Sequence, residues 1–466
     1  MMRNYKYTNL NCKSKAHTLL FILLTIVSLS CKKYLEAKPD DKLTLPENLQ
    51  DLQALLDNAI VMNNKTACYD EASADNYFLT PANYLAIGLK GQAAYSWQPY
   101  PNNYTNDYAS AYLVVYNSNV CLNALDKIER NQLTALSFDN VRGSALFFRA
   151  SQFLKLLWIY AKAYDQSSEN DSGIILRLGT DFNEVSKRSS IKDCYDRVIQ
   201  DLTTSIDLLP NIPQHVLRPS KAAAYAMLAR TYLSMRIYDK AYEFSDKCLK
   251  IKSTLTDYNK ISPSATSPFQ SYNEEVIFHS DISTTYYFNI SPTYSSIDTT
   301  LYRSYASDDL RKTLYFAAVG NYQQFKGSYA SRGIGTRPLF TGIATDEVYL
   351  MRAEALARIG DRTGAMRDLN TLLKTRWKNS IPYKELMAET DLQALNLVLT
   401  ERRKELIYRG LRWMDMKRLN KEGYNIIVNR TIDGKTYILL PNSDKYALPL
   451  PADIVVLSGV DQNPGW

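Results

Sequence analysis

The sequence predicts a mainly α-helical protein, in which helix pairs stack into an α-α superhelical body beside an irregular, loop-rich lobe and a small C-terminal β-hairpin. Two stretches, 225–250 and 349–374, align without a gap, and each has the apolar spacing of two antiparallel helices. The stretch 254–340 loses helical periodicity and is rich in Ser, Thr and Tyr. Residues 425–440 surround an Asp-Gly pair, which favours a type I′ hairpin turn.

The stretch 345–377 is the clearest helix pair. Thr345 is expected to cap the first helix, and Asp346 and Glu347 fall in its first turn, where the helix dipole favours negative charge. Gly360 can adopt the left-handed conformation that ends a helix. These signals predict two helices joined by a tight turn.

Small residues recur at equivalent positions of the two aligned stretches. Ala229 and Ala241 in the first stretch match Ala353 and Ala365 in the second. This arrangement resembles the tetratricopeptide helix pair, and we expect Ala353 and Ala365 to face each other across a close contact. A single pair cannot bury its own apolar face, so several pairs must stack around a shared core.

Further helices are predicted on both sides of the first repeat, with a short strand and a hairpin in the second half of the chain. The predicted spans are helices at 108–130, 139–164, 190–209 and 391–419 (the last broken near Gly410), a strand at 275–279, and a hairpin turning at Asp433-Gly434.

The N-terminal residues 1–30 read as a signal peptide. A basic start precedes an apolar run at 19–29, which is shorter than the ~20 residues that a membrane span needs. The sequence Ser28-Leu29-Ser30-Cys31 resembles a bacterial lipoprotein cleavage site, in which Cys31 becomes the lipidated first residue. The alternative is an ordinary signal peptide with an incidental cysteine.

Charge and cysteine usage exclude several functions. The net charge is +7, and removal of the four basic residues of the signal leaves +3, which is too small and scattered to indicate a nucleic-acid partner. Cys121, Cys194 and Cys248 lie in helical patterns and are expected to be small core residues. No CxxC occurs, so no zinc site or redox motif is indicated, and we expect no metal and no cofactor.

The sequence gives little support for an enzyme. Beyond the signal only His215 and His279 remain as histidines, in unrelated contexts, and no HExxH, GxSxG or P-loop occurs. The pair Asp308-Asp309 and the charged run 401–405 are interpreted as solvated faces or helix ion pairs rather than catalytic dyads.

A cluster of aromatic and amide residues is the candidate binding site. Flat aromatic rings cover the C–H face of a sugar, and polar side chains reach its hydroxyl rim. Trp97 is the first choice for a stacking platform, with Tyr95, Tyr100 and Asn102 beside it. The alternative is that these aromatics belong to the core or to a protein interface.

A second set of tyrosines lies in the loop-rich stretch. Tyr287 and Tyr294, with the adjacent Tyr286, are candidates for the same ligand, because a long ordered loop in a compact protein is usually functional.

Several motifs together resemble the SusD/RagB family of surface nutrient-binding lipoproteins. The resemblance covers essentially the whole chain after the signal. The motifs that carry it are CKKYLEAKP, FFRASQFLKLLWIYA, DEVYLMRAEALARIGD, LTERRKELIYRGLRWMDMKR and LPLPADIVVLSGVDQNPGW.

The resemblance implies a helical body of four tetratricopeptide-like pairs and an irregular ligand-binding lobe. It divides the chain into the lipoprotein signal 1–30, an N-terminal part 31–253 and a C-terminal part 254–466. It implies a non-catalytic protein, anchored in the outer membrane by the lipid on Cys31 and facing the cell surface. Such a protein captures oligosaccharides for a TonB-dependent SusC-type transporter. The alternative is a helical-repeat lipoprotein that binds peptides or proteins.

Overall fold

Helices dominate the computed structural model, which describes residues 46–282, 285–331 and 338–466. The predicted signal peptide 1–30 and the lipidation residue Cys31 lie outside these ranges. Residues 48–466 form one unit, so the two predicted parts on either side of residue 254 share a common core. No helix of the described ranges is both long and apolar enough to cross a bilayer.

The helices of the first half are short up to residue 96 and long thereafter. They are α1 (Leu49–Leu56), α2 (Ala59–Met62), α3 (Tyr69–Ser73), α4 (Pro81–Ala86), α5 (Gly88–Ser96), α6 (Asp107–Leu125), α7 (Ala135–Tyr160), α8 (Ile191–Leu208), α9 (Lys221–Met235) and α10 (Tyr238–Ile251).

The helices of the second half flank the loop-rich lobe. They are α11 (Thr299–Arg303), α12 (Arg311–Leu314), α13 (Thr345–Arg358), α14 (Arg362–Lys374), α15 (Asp391–Glu405), α16 (Arg412–Asn420) and α17 (Ala452–Ser458), and single 3-10 turns occur at Tyr258–Lys260, Phe288–Ile290 and Asp444–Tyr446.

The strands are short and pair in twos. They are β1 (Tyr77–Phe78), β2 (Ser172–Ile175), β3 (Arg188–Ser190), β4 (Val276–Phe278), β5 (Asp281–Ile282), β6 (Ser296–Ile297), β7 (Phe316–Val319), β8 (Tyr322–Phe325), β9 (Leu339–Phe340), β10 (Ile343–Ala344), β11 (Val428–Ile432) and β12 (Lys435–Leu439). All six pairs are antiparallel: β1–β6, β2–β3, β4–β10, β5–β9, β7–β8 and β11–β12.

The helical body is a series of neighbouring helices, as predicted. Helix α7 packs against α6 and α8, α9 against α8 and α10, and α13 against α10, α14 and α15. The four alanines of the aligned repeats, Ala229, Ala241, Ala353 and Ala365, are all fully buried. Small side chains at these positions let neighbouring helices approach closely.

The start of α13 differs from the prediction. Ala344 is the N-cap residue, and Thr345 is the first helical residue, whose hydroxyl donates to the carbonyl of Thr254. Gly360 follows the helix with φ +88°, as expected for a left-handed helix end. The cap shifts because strand β10 runs directly into the helix and places Thr345 against the loop-rich lobe.

The carboxylates of the first turn of α13 do more than complement a helix dipole. Asp346 accepts a hydrogen bond from Arg409 at 2.8 Å, and Glu347 pairs with Arg230 at 2.5 Å. All four side chains are buried. A buried carboxylate has to be paired to be tolerated, so these residues fix α13 to α9 and to the segment between α15 and α16.

Of the two interpretations of Asp309 and the run 401–405, solvated faces or helix ion pairs, the structure contradicts the first and shows ion pairs, including Lys404 with Glu401 on the same helix at 2.7 Å. Arg311 donates to Asp309 at 2.7 Å, to Glu401 at 2.6 Å and to Glu405 at 2.9 Å. Arg376 Nε donates to Glu405 at 2.8 Å, and Arg376 Nη2 donates to Glu275 at 2.9 Å. Sequence periodicity does not show that this network is buried, because the apolar residues that cover it belong to segments that are distant in the sequence.

Two predicted turns are confirmed by backbone conformation. Asp433 and Gly434 have φ +47° and +79°, as a type I′ turn between β11 and β12 requires. Gly410 has φ +70° and separates α15 from α16. A Cβ at Gly410 would lie 2.9 Å from Lys155 Nζ, so both conformation and space favour glycine there.

The tyrosines of the loop-rich lobe build its core. The hydroxyl of Tyr258 lies 2.9 Å from that of Tyr315 and 2.6 Å from that of Tyr329, and Phe269 packs against all three rings. Buried rings with mutually satisfied hydroxyls explain how a stretch with little regular secondary structure is ordered.

The three helical cysteines are core residues, as predicted. Cys121, Cys194 and Cys248 are all fully buried within helices α6, α8 and α10. Burial raises the pKa of each thiol to about 12, so all three are neutral at physiological pH.

Candidate functional site

Helices α4 and α5 and the start of α6 carry the predicted aromatic cluster. Thr80 caps α4, with Pro81 in its first turn, and the side chain of Asn106 caps α6 by accepting from Ala109 N. Trp97 ends α5 in the left-handed conformation, with φ +52°. The chain therefore turns sharply at Trp97 and brings 98–106 back over this layer, where the 3-10 turn at 288–290 packs on α5.

Trp97 and Tyr95 are part of the core. They are 2% and 3% exposed. Trp97 Nε1 donates to the carbonyl of Ser73 at 3.1 Å, and the hydroxyl of Tyr95 accepts from Leu79 N at 3.0 Å. Neither ring has a free face for a sugar in this conformation, which favours the alternative that the sequence left open for these two residues.

Arg430 on strand β11 covers both rings. Its guanidinium carbon lies 3.9 Å from the ring centre of Tyr95 and 4.6 Å from that of Trp97. The same group donates to the carbonyls of Tyr95, Ser73 and Ala74. A buried cation with this many partners fixes the positions of Tyr95 and Trp97. These two rings therefore support the neighbouring surface rather than forming part of it.

Asn102 and Tyr287 meet beneath the surface. Asn102 Nδ2 donates to the hydroxyl of Tyr287 at 3.2 Å, and both side chains are buried. The Tyr287 ring stacks on Tyr69 with centroids 4.9 Å apart. Burial raises the pKa of Tyr287, so its hydroxyl stays protonated. Two segments that the sequence marked separately are thus joined here.

Three half-exposed tyrosines lie in the two segments that this contact joins: Tyr100, Tyr286 and Tyr294. We call them the aromatic rim. Tyr100 precedes Asn102 by two residues, so the Asn102–Tyr287 bond holds it near the 285–294 segment. The hydroxyl of Tyr286 lies 2.5 Å from Ser110 Oγ.

Tyr294 is held through its backbone carbonyl and through its ring. Asn83 Nδ2 donates to its carbonyl at 2.8 Å, and the exposed Phe288 contacts its ring edge-on at 6.4 Å. The rim therefore combines accessible aromatic rings with amide and hydroxyl groups, which is the chemistry that the sequence associated with sugar binding.

Lys90 adds a charge to the rim that the sequence did not indicate. Its ammonium lies 4.7 Å from the ring centre of Tyr287 and 5.7 Å from that of Tyr286. Burial lowers its pKa, and it forms no ion pair within the ranges that the structure describes. The sequence search for aromatic spacing could not find Lys90, because it lies on α5 without any local motif.

The groups at the rim suit binding. Amides, hydroxyls, one ammonium and flat rings can hold a neutral ligand by stacking and hydrogen bonds. Among residues 46–282, 285–331 and 338–466, no group of three or more His, Cys, Asp or Glu side chains could hold a metal ion.

Two family models match the chain. A model described as starch-binding and associating with the outer membrane matches residues 33–233, and the model of the SusD family matches residues 345–466. Together they span most of the sequence, including Tyr100, whereas Tyr286 and Tyr294 lie between the two matched ranges. The chain belongs to the SusD/RagB family.

Solved structures of SusD proteins share the fold of this SusD/RagB chain. A Bacteroides vulgatus structure at 1.90 Å aligns with a TM-score of 0.75 and 21% identity, covering 91% of this chain and 100% of its own. A SusD superfamily protein from Bacteroides thetaiotaomicron aligns with a TM-score of 0.70 and 19% identity, covering 90% of this chain and 100% of its own. A SusD-like carbohydrate binding protein from Bacteroides vulgatus gives 0.64 and 20%, covering 88% and 96%. No curated protein sequence matches the chain.

Proposed function

We propose that this SusD/RagB protein is a non-catalytic lipoprotein of the outer membrane that captures oligosaccharides and delivers them to a TonB-dependent SusC-type transporter. Family membership supports the general role, since one matching model is described as starch-binding and associating with the outer membrane. A neighbour of the same fold is a SusD-like carbohydrate binding protein.

The observation that carries the proposal is the joining of two distant segments at the rim. Asn102 and Tyr287 are 185 positions apart and share a hydrogen bond. Their neighbours Tyr100 and Tyr286 stay half-exposed, and Lys90 Nζ lies 5.7 Å from the ring centre of Tyr286. Burial alone does not require accessible rings with polar groups around them, whereas a sugar requires both. We therefore place the stacking surface at Tyr100, Tyr286 and Tyr294 rather than at Trp97.

A substitution of Tyr286 tests the site. Tyr286→Ala removes one accessible ring, and loss of one stacking surface, at about 1–3 kcal/mol, weakens binding roughly ten- to hundredfold. Calorimetry with an oligosaccharide identified on a glycan array measures the loss, and circular dichroism checks the fold.

Tyr225→Ala is the matched control. Tyr225 is also half-exposed, with Lys247 Nζ 5.9 Å from its ring centre, but it lies on the repeat helix α9. It should bind like the wild type. Unchanged affinity in a folded Tyr286→Ala protein would move the site away from the rim, and turnover of the oligosaccharide would contradict the non-catalytic role.

Peptide binding is the second candidate function. Leu85 and Leu89 are 67% and 71% exposed on α4 and α5, next to Lys90, and apolar side chains of this kind suit a peptide better than a sugar. A peptide library that gives saturable binding, together with a glycan array that gives none, would favour this alternative.

Membrane attachment is tested at Cys31. Acyl burial contributes ~0.8 kcal/mol per methylene, so several chains on one cysteine hold a protein firmly to a bilayer. Cys31→Ser should release the protein or leave its signal uncleaved. Equal recovery of the variant and the wild type in the outer-membrane fraction would exclude lipidation at Cys31.

A further inference from the structure

A second concave site lies between the loop before α9 and the loop that leads to β4. It is a cleft of about 320 Å³, and His215, Lys252 and Tyr272 are among its lining residues. This volume is at the lower end of the roughly 300–1,000 Å³ found for small-molecule pockets. None of the rim residues lines it.

Tyr272 forms an aromatic wall of this cleft. Its side chain is 42% exposed, and its ring makes edge contacts with His215 at 4.8 Å and His279 at 4.7 Å between centroids. Its backbone has φ +62°, the left-handed region that a bulky residue rarely adopts. The surrounding contacts hold the ring in place at this backbone cost.

His215 and Gln214 present donors to the cleft, because backbone or side-chain donors of the chain already occupy one acceptor of each. His215 Nδ1 accepts from Leu217 N at 3.2 Å, so the neutral ring carries its proton on Nε2. Gln214 Oε1 accepts from Arg218 at 2.9 Å, which leaves its NH₂ group as a donor. A ligand that satisfies these groups must be rich in acceptors.

Lys252 gives the cleft a positive charge. Its ammonium donates to the carbonyl of Val276 at 2.8 Å and has two further N–H groups. It forms no ion pair with any residue of the described ranges, although it is half-buried. Ser220 also lines the cleft, and its Oγ accepts from Ala223 N, which leaves the hydroxyl hydrogen as another donor.

We propose that this cleft is a second carbohydrate site, which takes a sugar unit bearing an oxyanion group, either the carboxylate of a uronic acid or a sulfate ester. The Tyr272 ring lies against the sugar, and Lys252 and His215 Nε2–H donate to the oxyanion. The inference rests on the proposed glycan-binding function but concerns a separate set of residues. Charge-assisted hydrogen bonds to carboxylate or sulfate oxygens are the strongest that this donor set can make.

Three oligosaccharides and three variants test the cleft. Calorimetry at low salt uses a tetragalacturonide, which carries only carboxylates, a κ-carrageenan tetrasaccharide, which carries sulfate esters and no carboxylate, and maltotetraose, which carries neither. The wild type should bind one of the two acidic probes more tightly than maltotetraose, and the one that binds identifies the oxyanion. Lys252→Gln and Tyr272→Gly should each weaken that binding more than tenfold. Glycine at 272 keeps the left-handed backbone without strain, and Lys252→Arg should retain binding.

Two controls reproduce the chemical changes elsewhere. Lys326 is also half-buried and donates to the carbonyl of Pro263 at 2.6 Å, and Asn425 is an exposed residue with φ +52°. Lys326→Gln and Asn425→Gly should bind like the wild type, and melting curves check that every variant is folded.

The outcomes separate this inference from the proposed function. Acidic binding that survives in folded Lys252→Gln and Tyr272→Gly overturns the cleft, as does binding of maltotetraose alone. Acidic binding that is lost in these variants but kept in Tyr286→Ala supports the cleft even where the rim does not bind glycan. Absence of binding to all three oligosaccharides overturns the cleft, whereas the proposed function is decided separately by the glycan array.

Discussion

Glu71 is a buried carboxyl on α3 that accepts a hydrogen bond from Gly410 N at 2.8 Å. Burial, reinforced by the neighbouring Asp70, raises its pKa from 4.5 to about 7. A group with a raised pKa contributes stability that is fully present below the unfolded pKa and is lost as pH rises through the folded pKa. Glu71 therefore lowers the free energy of unfolding as pH rises from 4.5 to 7.

Replacing Glu71 should remove this pH dependence. Glu71→Gln keeps an acceptor for Gly410 N but cannot ionise. The free energy of unfolding of the variant, minus that of the wild type, should therefore increase by about 3 kcal/mol as pH rises from the unfolded to the folded pKa. Urea denaturation of both proteins across this pH range measures the difference. A difference that stays constant with pH would show that Glu71 does not titrate there.

At the residue scale the sequence predicted which segments matter better than which side chains are exposed. Aromatic and amide spacing marked 95–102 and the tyrosines near 290, and the structure joins Asn102 to Tyr287. The spacing of residues in the sequence could not show that Trp97 is buried, because the group that covers its ring is Arg430, which lies in a distant hairpin. Exposure depends on such contacts and not on local composition.

At the element scale the helix pairs carry the clearest prediction. Ala353 is fully buried on α13, which packs against α10, α14 and α15. Ala353→Leu should overpack this contact and lower the free energy of unfolding by about 1–3 kcal/mol, without changing which ligands bind. Thermal denaturation measures the effect, and Ala82→Leu on the exposed side of α4 is the control. Equal melting temperatures for Ala353→Leu and the wild type would refute the close contact.

Long periodic elements were predictable, and most short ones were not, although the strand predicted at 275–279 is confirmed as β4. The spans of α6 to α10 and α13 to α16 follow from apolar spacing, and the Asp433-Gly434 turn from its dipeptide. Helices α3 to α5 and the β7–β8 hairpin escaped prediction because four to nine residues give too few repeats of a period. Tertiary packing, rather than local preference, determines these elements.

For the whole molecule, the network around Arg376 connects the lobe to the helical body. Glu275 belongs to the lobe and Glu405 to α15, and Arg376 donates to both. Removing the cation leaves two buried carboxylates without it, which costs about 3–5 kcal/mol. Arg376→Met should therefore lower the free energy of unfolding by this amount, measured by denaturation with tryptophan fluorescence and far-ultraviolet circular dichroism.

A surface ion pair provides the comparison. Arg130 pairs with Asp139 at 2.8 Å, but its side chain is 53% exposed, so Arg130→Met should change the free energy of unfolding far less than Arg376→Met does. Because 48–466 form one unit, we expect the two optical signals of Arg376→Met to shift together. Separate transitions would mean that lobe and body unfold independently.

The position of Arg430 sets an order of events in time. It donates to the carbonyl of Tyr95, which was added to the chain 335 residues earlier. The layer beneath the rim therefore cannot close before residue 430 has been synthesised, however early its own residues emerge. Contacts of such long range are slow to form, so the rim is among the last regions to mature. Because a signal peptide directs a chain across the inner membrane unfolded, the proposed signal at 1–30 means that this layer closes only after residue 430 has been translocated.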